Sequence, residues 1–407
     1  MKKVQTALFG SAILLASLAG CSGQGNYTRE GVSMAKERMS FLKSATEWEL
    51  ARQAFLAGDL EKAIEKVDYS LSINDSVVKS HVLKGRILIE FGDLGNALKS
   101  LQTATILDPE EPDAHYYLGV LYERLNRPED AHTHFEIACD VDDYNPSYAV
   151  AASEMLIDLD RLEEAKAYLV SIPMAANNAG IRQSLGHIAL IESEYDLAVK
   201  YFKESRLLAP DDEGIAEDLI HALMMAGEYS QAEHNIALMM KKIENADRTD
   251  LKVLHAKALM NTGRPVEARS IYQELLSDAE GMSNVDLWIG LANASFVVDD
   301  MRNVRKAASR IVALAPDLHD GYLLYAMYHR QTEDFSSALA SIDKAIEMNP
   351  INGDVHAYRS LILSKLNRRL DAIASASRAV ELDPGNPMFS SMLEDLSSGI
   401  ASVPTGN

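Results

Sequence analysis

The 407-residue chain predicts an all-α fold, an α-solenoid of about ten helix-turn-helix units closed by a C-terminal capping helix. Three observations predict it. A six-residue pattern ending in alanine returns at a nearly constant interval, a second small residue keeps a fixed distance from that alanine, and prolines fall in step with both. Such a chain forms one elongated domain of similar units rather than the two or three independent cores its length would otherwise suggest.

The pattern is Gly-Asp-Leu-Glu-Lys-Ala at 58–63, Gly-Asp-Leu-Gly-Asn-Ala at 92–97 and Asn-Arg-Pro-Glu-Asp-Ala at 126–131. Its last position continues as Ala63, Ala97, Ala131, Ala165, Ala198, Ala232, Ala268, Val304, Ala338 and Ala372, in steps of 34, 34, 34, 33, 34, 36, 36, 34 and 34. Twelve residues earlier stand Ala51, Gly85, Gly119, Ser153, Gly186, Ile220, Ala256, Ala292, Ala326 and Ser360. Small residues at two such places let paired helices approach, and apolar residues one turn away, such as Phe135, Phe202, Tyr272 and Ile342, fill the space between units. Pro109, Pro210, Pro316, Pro350 and Pro384 fall twelve residues after the marker, where a second helix must stop. Pro128 and Pro265 fall three before it, where a first turn tolerates a missing N–H. Pro173 is out of register, in the shortened unit.

The units run 44–77, 78–111, 112–145, 146–178, 179–212, 213–248, 249–284, 285–318, 319–352 and 353–386. Phe389, Met392, Leu393 and Leu396 then form one helical stripe, which predicts a cap over 387–397, followed by a flexible tail at 398–407. Before the units, residues 28–43 carry Met34, Phe41 and Leu42 among charges and read as a short leading helix within a segment, 21–43, that tethers the array.

Residues 1–20 read as an address. Lys2 and Lys3 precede an apolar stretch from Val4 to Leu18, too short to span a bilayer. The ending Leu18-Ala19-Gly20-Cys21 resembles the lipobox of bacterial lipoproteins. That resemblance implies cleavage before Cys21, a diacylglycerol on its thiol and an acyl chain on its new amine, two chains making a stable anchor. Ser22, rather than Asp, after the cysteine resembles export to the outer membrane, facing the periplasm.

There are 60 acidic and 39 basic residues, a formal charge of −21, which excludes a nucleic-acid partner and argues against a basic amphipathic surface for anionic lipid. Removing residues 1–20 takes two lysines and no acid, leaving 37 basic against 60 acidic residues and a charge of −23. With only Cys21 and Cys139, neither a disulfide framework nor a cysteine metal site is available, and Cys139, beside Ala138, reads as a buried thiol.

No constellation carries chemistry. His132 and His134 stand two apart, which sends them to different sides of a helix, and no His-Glu-x-x-His pair exists. There is no glycine-rich phosphate loop and no nucleophile elbow. Glu110-Glu111 and Asp211-Asp212 fall in turns between units. The chain therefore reads as a non-enzyme without cofactor beyond the lipid at Cys21.

The run His115-Tyr116-Tyr117-Leu118-Gly119 with Tyr122, and the endings Ala-Ile-Glu-Met-Asn-Pro at 345–350 and Ala-Val-Glu-Leu-Asp-Pro at 379–384, resemble the tetratricopeptide repeat family. Trp288 occupies the family's tryptophan position, Trp48 lies one residue off, and Ile220 departs from the usual small residue. The resemblance implies a right-handed solenoid whose first helices line a concave groove for protein segments. Carried over by position, that groove takes Val82 and Arg86, Tyr116 and Val120, Val150 and Glu154, Gln183 and His187, Glu217 and His221, Val253 and Lys257, Ile289 and Asn293, and Leu323 and Met327.

His187 and His221 share one place in neighbouring units and are expected to stand side by side near Glu154 and Glu217. That patch either binds a polar peptide and changes charge with pH, or holds two solvated histidines of no shared role. Met224, Met225, Met260, Ile289, Phe296 and Met327 form an adaptable apolar surface, part groove and part core. No run reproduces the family's Lys, Asn and Arg clamp for a terminal carboxylate. The function that follows is a membrane-anchored scaffold or assembly factor holding envelope proteins or peptides, with basic patches on the partner favoured by the acidic surface. Alternatives are a pilus or secretin assembly lipoprotein of tight-adherence type, an adaptor for cell-wall hydrolases, a small-ligand binder, or an enzyme with its site near His187, His221 and Glu154.

Overall fold

The computed structural model describes residues 26–142, 145–173 and 175–398. The address at 1–20, Cys21 and residues 399–407 of the expected tail lie outside the described residues. Those described form 22 α-helices and two short 3-10 turns, with no strand among them. Their contacts divide into two compact units, residues 1–210 and 211–407. In a stack where each repeat touches only its neighbours, no long-range contacts tie distant repeats together.

In the first unit the helices are α1 (Asn26–Leu56), α2 (Leu60–Ile73), α3 (Val78–Phe91), α4 (Leu94–Leu107), α5 (Pro112–Arg124), α6 (Pro128–Val141), α7 (Pro146–Asp158), α8 (Leu162–Ser171), α9 (Ala179–Ile191) and α10 (Tyr195–Leu208). In the second they are α11 (Glu213–Met225), α12 (Tyr229–Met239), α13 (Thr249–Asn261), α14 (Pro265–Leu275), α15 (Ala279–Ser283), α16 (Val285–Val297), α17 (Met301–Leu314), α18 (His319–Gln331), α19 (Phe335–Met348), α20 (Gly353–Lys365), α21 (Arg369–Leu382) and α22 (Pro387–Ser398).

The sequence pattern explains the pairing. All ten marker residues, from Ala63 to Ala372, are fully buried, because that is where the two helices of a pair cross most closely. The earlier small position faces a large one sixteen residues on. A methyl group at Gly85 would lie 2.5 Å from Leu101, one at Gly119 2.5 Å from Phe135, and one at Gly186 2.7 Å from Phe202. Ile220 is the exception, and there the opposite residue is Ile236, both buried in one cluster without an aromatic ring. The two positions therefore share a fixed volume between them.

The turn inside each pair is equally regular. Gly58, Gly92, Asn126, Asp160, Ser193, Gly227, Gly263, Asp299, Glu333 and Asn367 all have positive φ, and every one closes a first helix. The next residue often caps the second helix: Asp59 accepts from the Lys62 N–H at 3.1 Å, Asp93 from Asn96 at 3.2 Å and Asp334 from Ser337 at 3.1 Å. Prolines at 112, 128, 146, 265 and 387 sit at helix starts, where no donor is lost.

Four expectations change. The leading segment and the first repeat helix are one continuous helix, α1, so position 44 marks no break. The cap helix extends one residue past the expected 397, through Ser398. Asp212 is not merely a solvated turn carboxylate but caps α11, accepting from the Ile215 N–H at 3.2 Å. The two lengthened repeats carry extra turns, the 3-10 segment Ile243–Asn245 and the short helix α15, neither of which periodicity reveals.

Candidate functional site

In the first compact unit the predicted groove residues are largely absorbed into packing. Arg86, on α3, has its guanidinium over the rings of Phe55 at 5.0 Å and Tyr117 at 4.5 Å, held by the ring faces. Tyr116, on α5, packs its ring 5.5 Å from Phe135 and 5.3 Å from Tyr148. Burial raises the Tyr116 phenol above its ordinary value. Val82 is buried, whereas Val120 and Val150 are half-buried.

Glu154, on α7, belongs to an acidic stretch. Its carboxyl titrates above the ordinary range, first through partial loss of hydration and then because Glu123 and Asp158 repel its charge, while His187 works the other way. His187, on α9, lies 5.2 Å from the ring of Phe202 and is half-buried, as is Gln183 one turn before it.

In the second unit Glu217, on α11, is not a free acid. It pairs with Arg248, which also grips Asp250. His221 is exposed, Met225 is 57% exposed, and Met224 packs against the Ile220 and Ile236 cluster. His187 belongs to the first unit and His221 to the second.

Further along, the structure brings four predicted residues together. Lys257 and Met260 of α13, with Ile289 and Asn293 of α16, line one cavity of about 430 Å³. Asn261, Asp286, Gly290 and Tyr272 complete it. Tyr272, on α14, is buried at 3% exposure, and burial raises its phenol. A methyl group at Gly290 would lie 2.4 Å from the Tyr272 ring.

This cavity results from two local departures in the repeat. At the place of Tyr272 the other units carry Val67, Leu101, Phe135, Leu169, Phe202, Ile236, Ala308, Ile342 and Ala376, none with a hydroxyl. At the place of Gly290 they carry residues such as Leu83, Tyr117, Leu254, Leu324 and Tyr358. Two other units carry the small residues Ala151 and Ser184 there, but only here does a tyrosine ring press into the space a side chain would take, so that its edge faces the cavity.

Among the described residues Lys257 makes no ion pair, and the side chains of Asp286, Asn293 and Tyr272 make no hydrogen bond. Asn261 spends its amide on the Lys257 carbonyl at 2.9 Å. The site offers a cation, an anion, an amide and a phenol around walls of Met260 and Ile289. Val253, Met260, Ile289, Phe296 and Met327 also pack against the adjoining core.

A second cavity, about 570 Å³ and mostly apolar, is lined by Leu323 and Met327 of α18, Tyr358 and Leu361 of α20, and Met388 and Met392 of the cap α22. Sequence reasoning named Leu323 and Met327 there but read the cap only as cover. It missed Tyr272, Asp286 and Gly290; the one legible signal was the hydroxyl-bearing ring of Tyr272 at a place where every other unit has none. Elsewhere Cys139 is buried, and His132 and His134 diverge: His132 Nδ1 lies 3.0 Å from the Ala152 carbonyl, and His134 stacks on Tyr122. No group of His, Cys, Asp and Glu suited to a metal occurs among the described residues, and no described helix is long and apolar enough to cross a membrane.

Residues 85–126 match a family described as TPR repeat, and residues 323–387 match one described as tetratricopeptide repeat. Cellulose synthase operon protein C of Pseudomonas fluorescens is 23% identical over 322 residues, 74% of this chain and 25% of that protein. BBSome complex member BBS4 of Bos taurus is 24% identical over 223 residues, 53% of this chain and 41% of that protein. The chain therefore spans less than half the length of either relative. Among solved structures, pilF of Pseudomonas aeruginosa is 20% identical with a TM-score of 0.41, covering 50% of this chain and 91% of that one.

Proposed function

We propose, from the premise that the chain belongs to the tetratricopeptide repeat family, that it is a non-enzymatic scaffold held at a bacterial membrane through Cys21, which grips a segment of a partner protein in the second compact unit. The observation that carries this reading is the hollow floored by Tyr272, where Lys257, Asp286 and Asn293 point unpaired polar groups at one space. Lys257, Asp286 and Asn293 stand exposed at the rim of this space, where a partner's polar groups can meet them, while buried Tyr272 and half-buried Met260 and Ile289 form its floor and walls. An extended peptide does so, its backbone meeting the asparagine amide and its side chain entering between Met260 and Ile289.

The anchor reading is supported by the Leu-Ala-Gly-Cys motif, and with Ser22 after the cysteine it would hold the scaffold in the envelope at the outer membrane. Its partners would be envelope proteins or peptides with basic patches, given the chain's charge of −21. The processes such an anchored scaffold would serve are pilus or secretin assembly and the placement of cell-wall hydrolases.

The test is site-specific photocrosslinking in the native envelope, with the probe at Asn293 and, as a control, at Arg310 on α17. A discrete partner captured from Asn293 but not from Arg310, and lost on Gly290→Leu, supports the proposal. Equal capture from both positions, or capture indifferent to Gly290→Leu, rejects the cavity as the grip. The identity of the captured protein then decides between the assembly and the wall-enzyme processes.

A further inference from the structure

The first eighteen residues of α1, 26–43, form an arm that extends past the end of α2, whose residue Ser70 meets Ser44 at 2.9 Å between hydroxyls. At 1.5 Å per residue that arm is about 27 Å long. It carries large apolar side chains in solvent: Val32 at 44%, Met34 at 54%, Met39 at 56%, Phe41 at 56% and Leu42 at 62% exposure. On a helix of 100° per residue these fall, with Gly31 and Ala35, within roughly half the circumference. The residues of α1 that pack into the first repeat are Ser44, Trp48, Ala51 and Phe55. Met34, Phe41, Trp48 and Phe55 follow at seven-residue spacing, so the bare arc of the arm adjoins at one edge the stripe that the repeat fills further along the helix, and widens from there over Leu42, Ala35 and Met39 to Val32.

Charge indicates what fits the bare face. Residues 26–43 hold Arg29, Lys36, Arg38 and Lys43 against Glu30 and Glu37, a net +2 in a chain whose total is −21. Lys36 and Lys43 lie a helical heptad apart along one edge of the apolar arc, and Arg38 stands within it, where a long stem can lie on apolar surface with its head raised. An apolar arc edged by lysines is the pattern of a helix lying in a lipid interface. Only residues 22–25 separate Cys21 from α1. Five extended residue steps reach at most about 18 Å, so a lipid on Cys21 keeps the arm within that distance of the bilayer.

We propose that residues 30–43 of α1 dock flat on an anionic phospholipid surface, with Met34, Phe41 and Leu42 inserted and Lys36 and Lys43 at the headgroups. The inference rests on the reading of Cys21 as the anchor for its geometry, and adds a second, non-covalent contact that fixes how the arm lies. It also revises locally the expectation that so acidic a chain offers no surface to anionic lipid. Two signals, acyl chains and a basic amphipathic segment, hold a protein more firmly than either alone.

The test uses the chain beginning at Ser22, which keeps every described residue but carries no acyl group. Its co-flotation is measured with vesicles of phosphatidylglycerol and phosphatidylethanolamine, and with vesicles of phosphatidylcholine alone. The expected result is binding to the first, weakened at least about tenfold by Met34→Gln/Phe41→Gln/Leu42→Gln and by raised salt. The variant Lys36→Glu/Lys43→Glu leaves the apolar arc intact and should also lose binding to the anionic vesicles. All five positions are solvent-exposed, and unchanged thermal unfolding of the variants confirms that the fold is kept.

No co-flotation, or co-flotation that the substitutions leave unchanged, overturns the proposal. So does a concentration-dependent dimer in light scattering that the triple variant dissolves while vesicles bind nothing, since a second copy would then cover the face. Palmitate labelling of the full chain and of Cys21→Ser tests the anchor separately: labelling that survives Cys21→Ser sinks the anchor, whereas failed flotation sinks the docking arm.

Discussion

The ring of Tyr272 lies so close to the backbone of Gly290 that a single methyl group there would come within 2.4 Å of it. The contact joins the second helix of one repeat to the first helix of the next and sets the floor of the 430 Å³ cavity. Gly290→Ala brings two opposing effects. Alanine favours the helix interior by about 1 kcal/mol over glycine, whereas overpacking a ring that is 3% exposed costs about 1–3 kcal/mol. Because the added methyl would meet two ring carbons at 2.4 Å, the ring must shift, and a net loss of about 1 kcal/mol is expected in urea unfolding. Tyr272→Phe, which removes a hydroxyl with no protein partner, should leave stability within about 0.5 kcal/mol and weaken partner capture. Equal capture by Tyr272→Phe would remove the phenol from the site.

Glu333 ends α18 at a φ of 62°, at a place where four of the ten units have glycine. A side chain in that region costs about 1–2 kcal/mol, while glycine gives back part of this as entropy in the unfolded chain. Glu333→Gly should therefore stabilise the second unit by about 0.5–1 kcal/mol, read as a rise in denaturation midpoint. A fall would mean that the glutamate side chain contributes more than its backbone strain removes.

Phe389, on the cap α22, is 1% exposed and packs on Ala357 and Ala379. Phe389→Ala should cost about 3–5 kcal/mol locally. In an array held by neighbour contacts the loss should appear first at the last pair, as faster amide exchange in α20 and α21, with exchange in the first compact unit unchanged. Uniform acceleration throughout would contradict the nearest-neighbour picture.

His134 has a pH signature. Nε2 of His115 donates to the Pro109 carbonyl at 3.0 Å, so its Nδ1 is left to accept from Nδ1 of His134 at 3.2 Å. Burial first, and electrostatic interaction with the neighbouring His115 ring second, depress the His134 pKa below 6.5. A depressed folded pKa means that its contribution to stability is present above the unfolded value and is lost as pH falls through the folded one. Thermal unfolding should thus occur at lower temperature on the acid side of 6.5, and His134→Asn, which keeps a donor but does not titrate, should fall less over the same range. An identical fall in both proteins would assign the acid sensitivity to other groups.

The helix pairs were legible because one backbone geometry recurs, so small residues at 63, 97 and 131 answer the same steric demand at each crossing. Legibility failed where a residue serves two neighbours at once. Tyr116 and Arg86 hold groove positions by count, yet aromatic rings from flanking helices claim them. Glu217 is taken by Arg248, which stands 31 residues away in the lengthened turn before α13, a segment periodicity does not place. The cavity at Gly290 was hidden for the opposite reason, since a hollow is made by what is missing, and pattern matching rewards what is present.

The unbroken run of α1 from Asn26 to Leu56 also has a mechanical consequence. A hinge between the arm and the first repeat would let the two reorient freely, and a helix of 31 residues without an internal proline has none. Rotation of the arm about its axis is therefore torque on the first repeat, and the azimuth at which Phe41 faces outward fixes the azimuth at which Trp48 and Ala51 meet α2. α1 is a drive shaft, so whatever orients its free end sets the bearing of the first repeat pair.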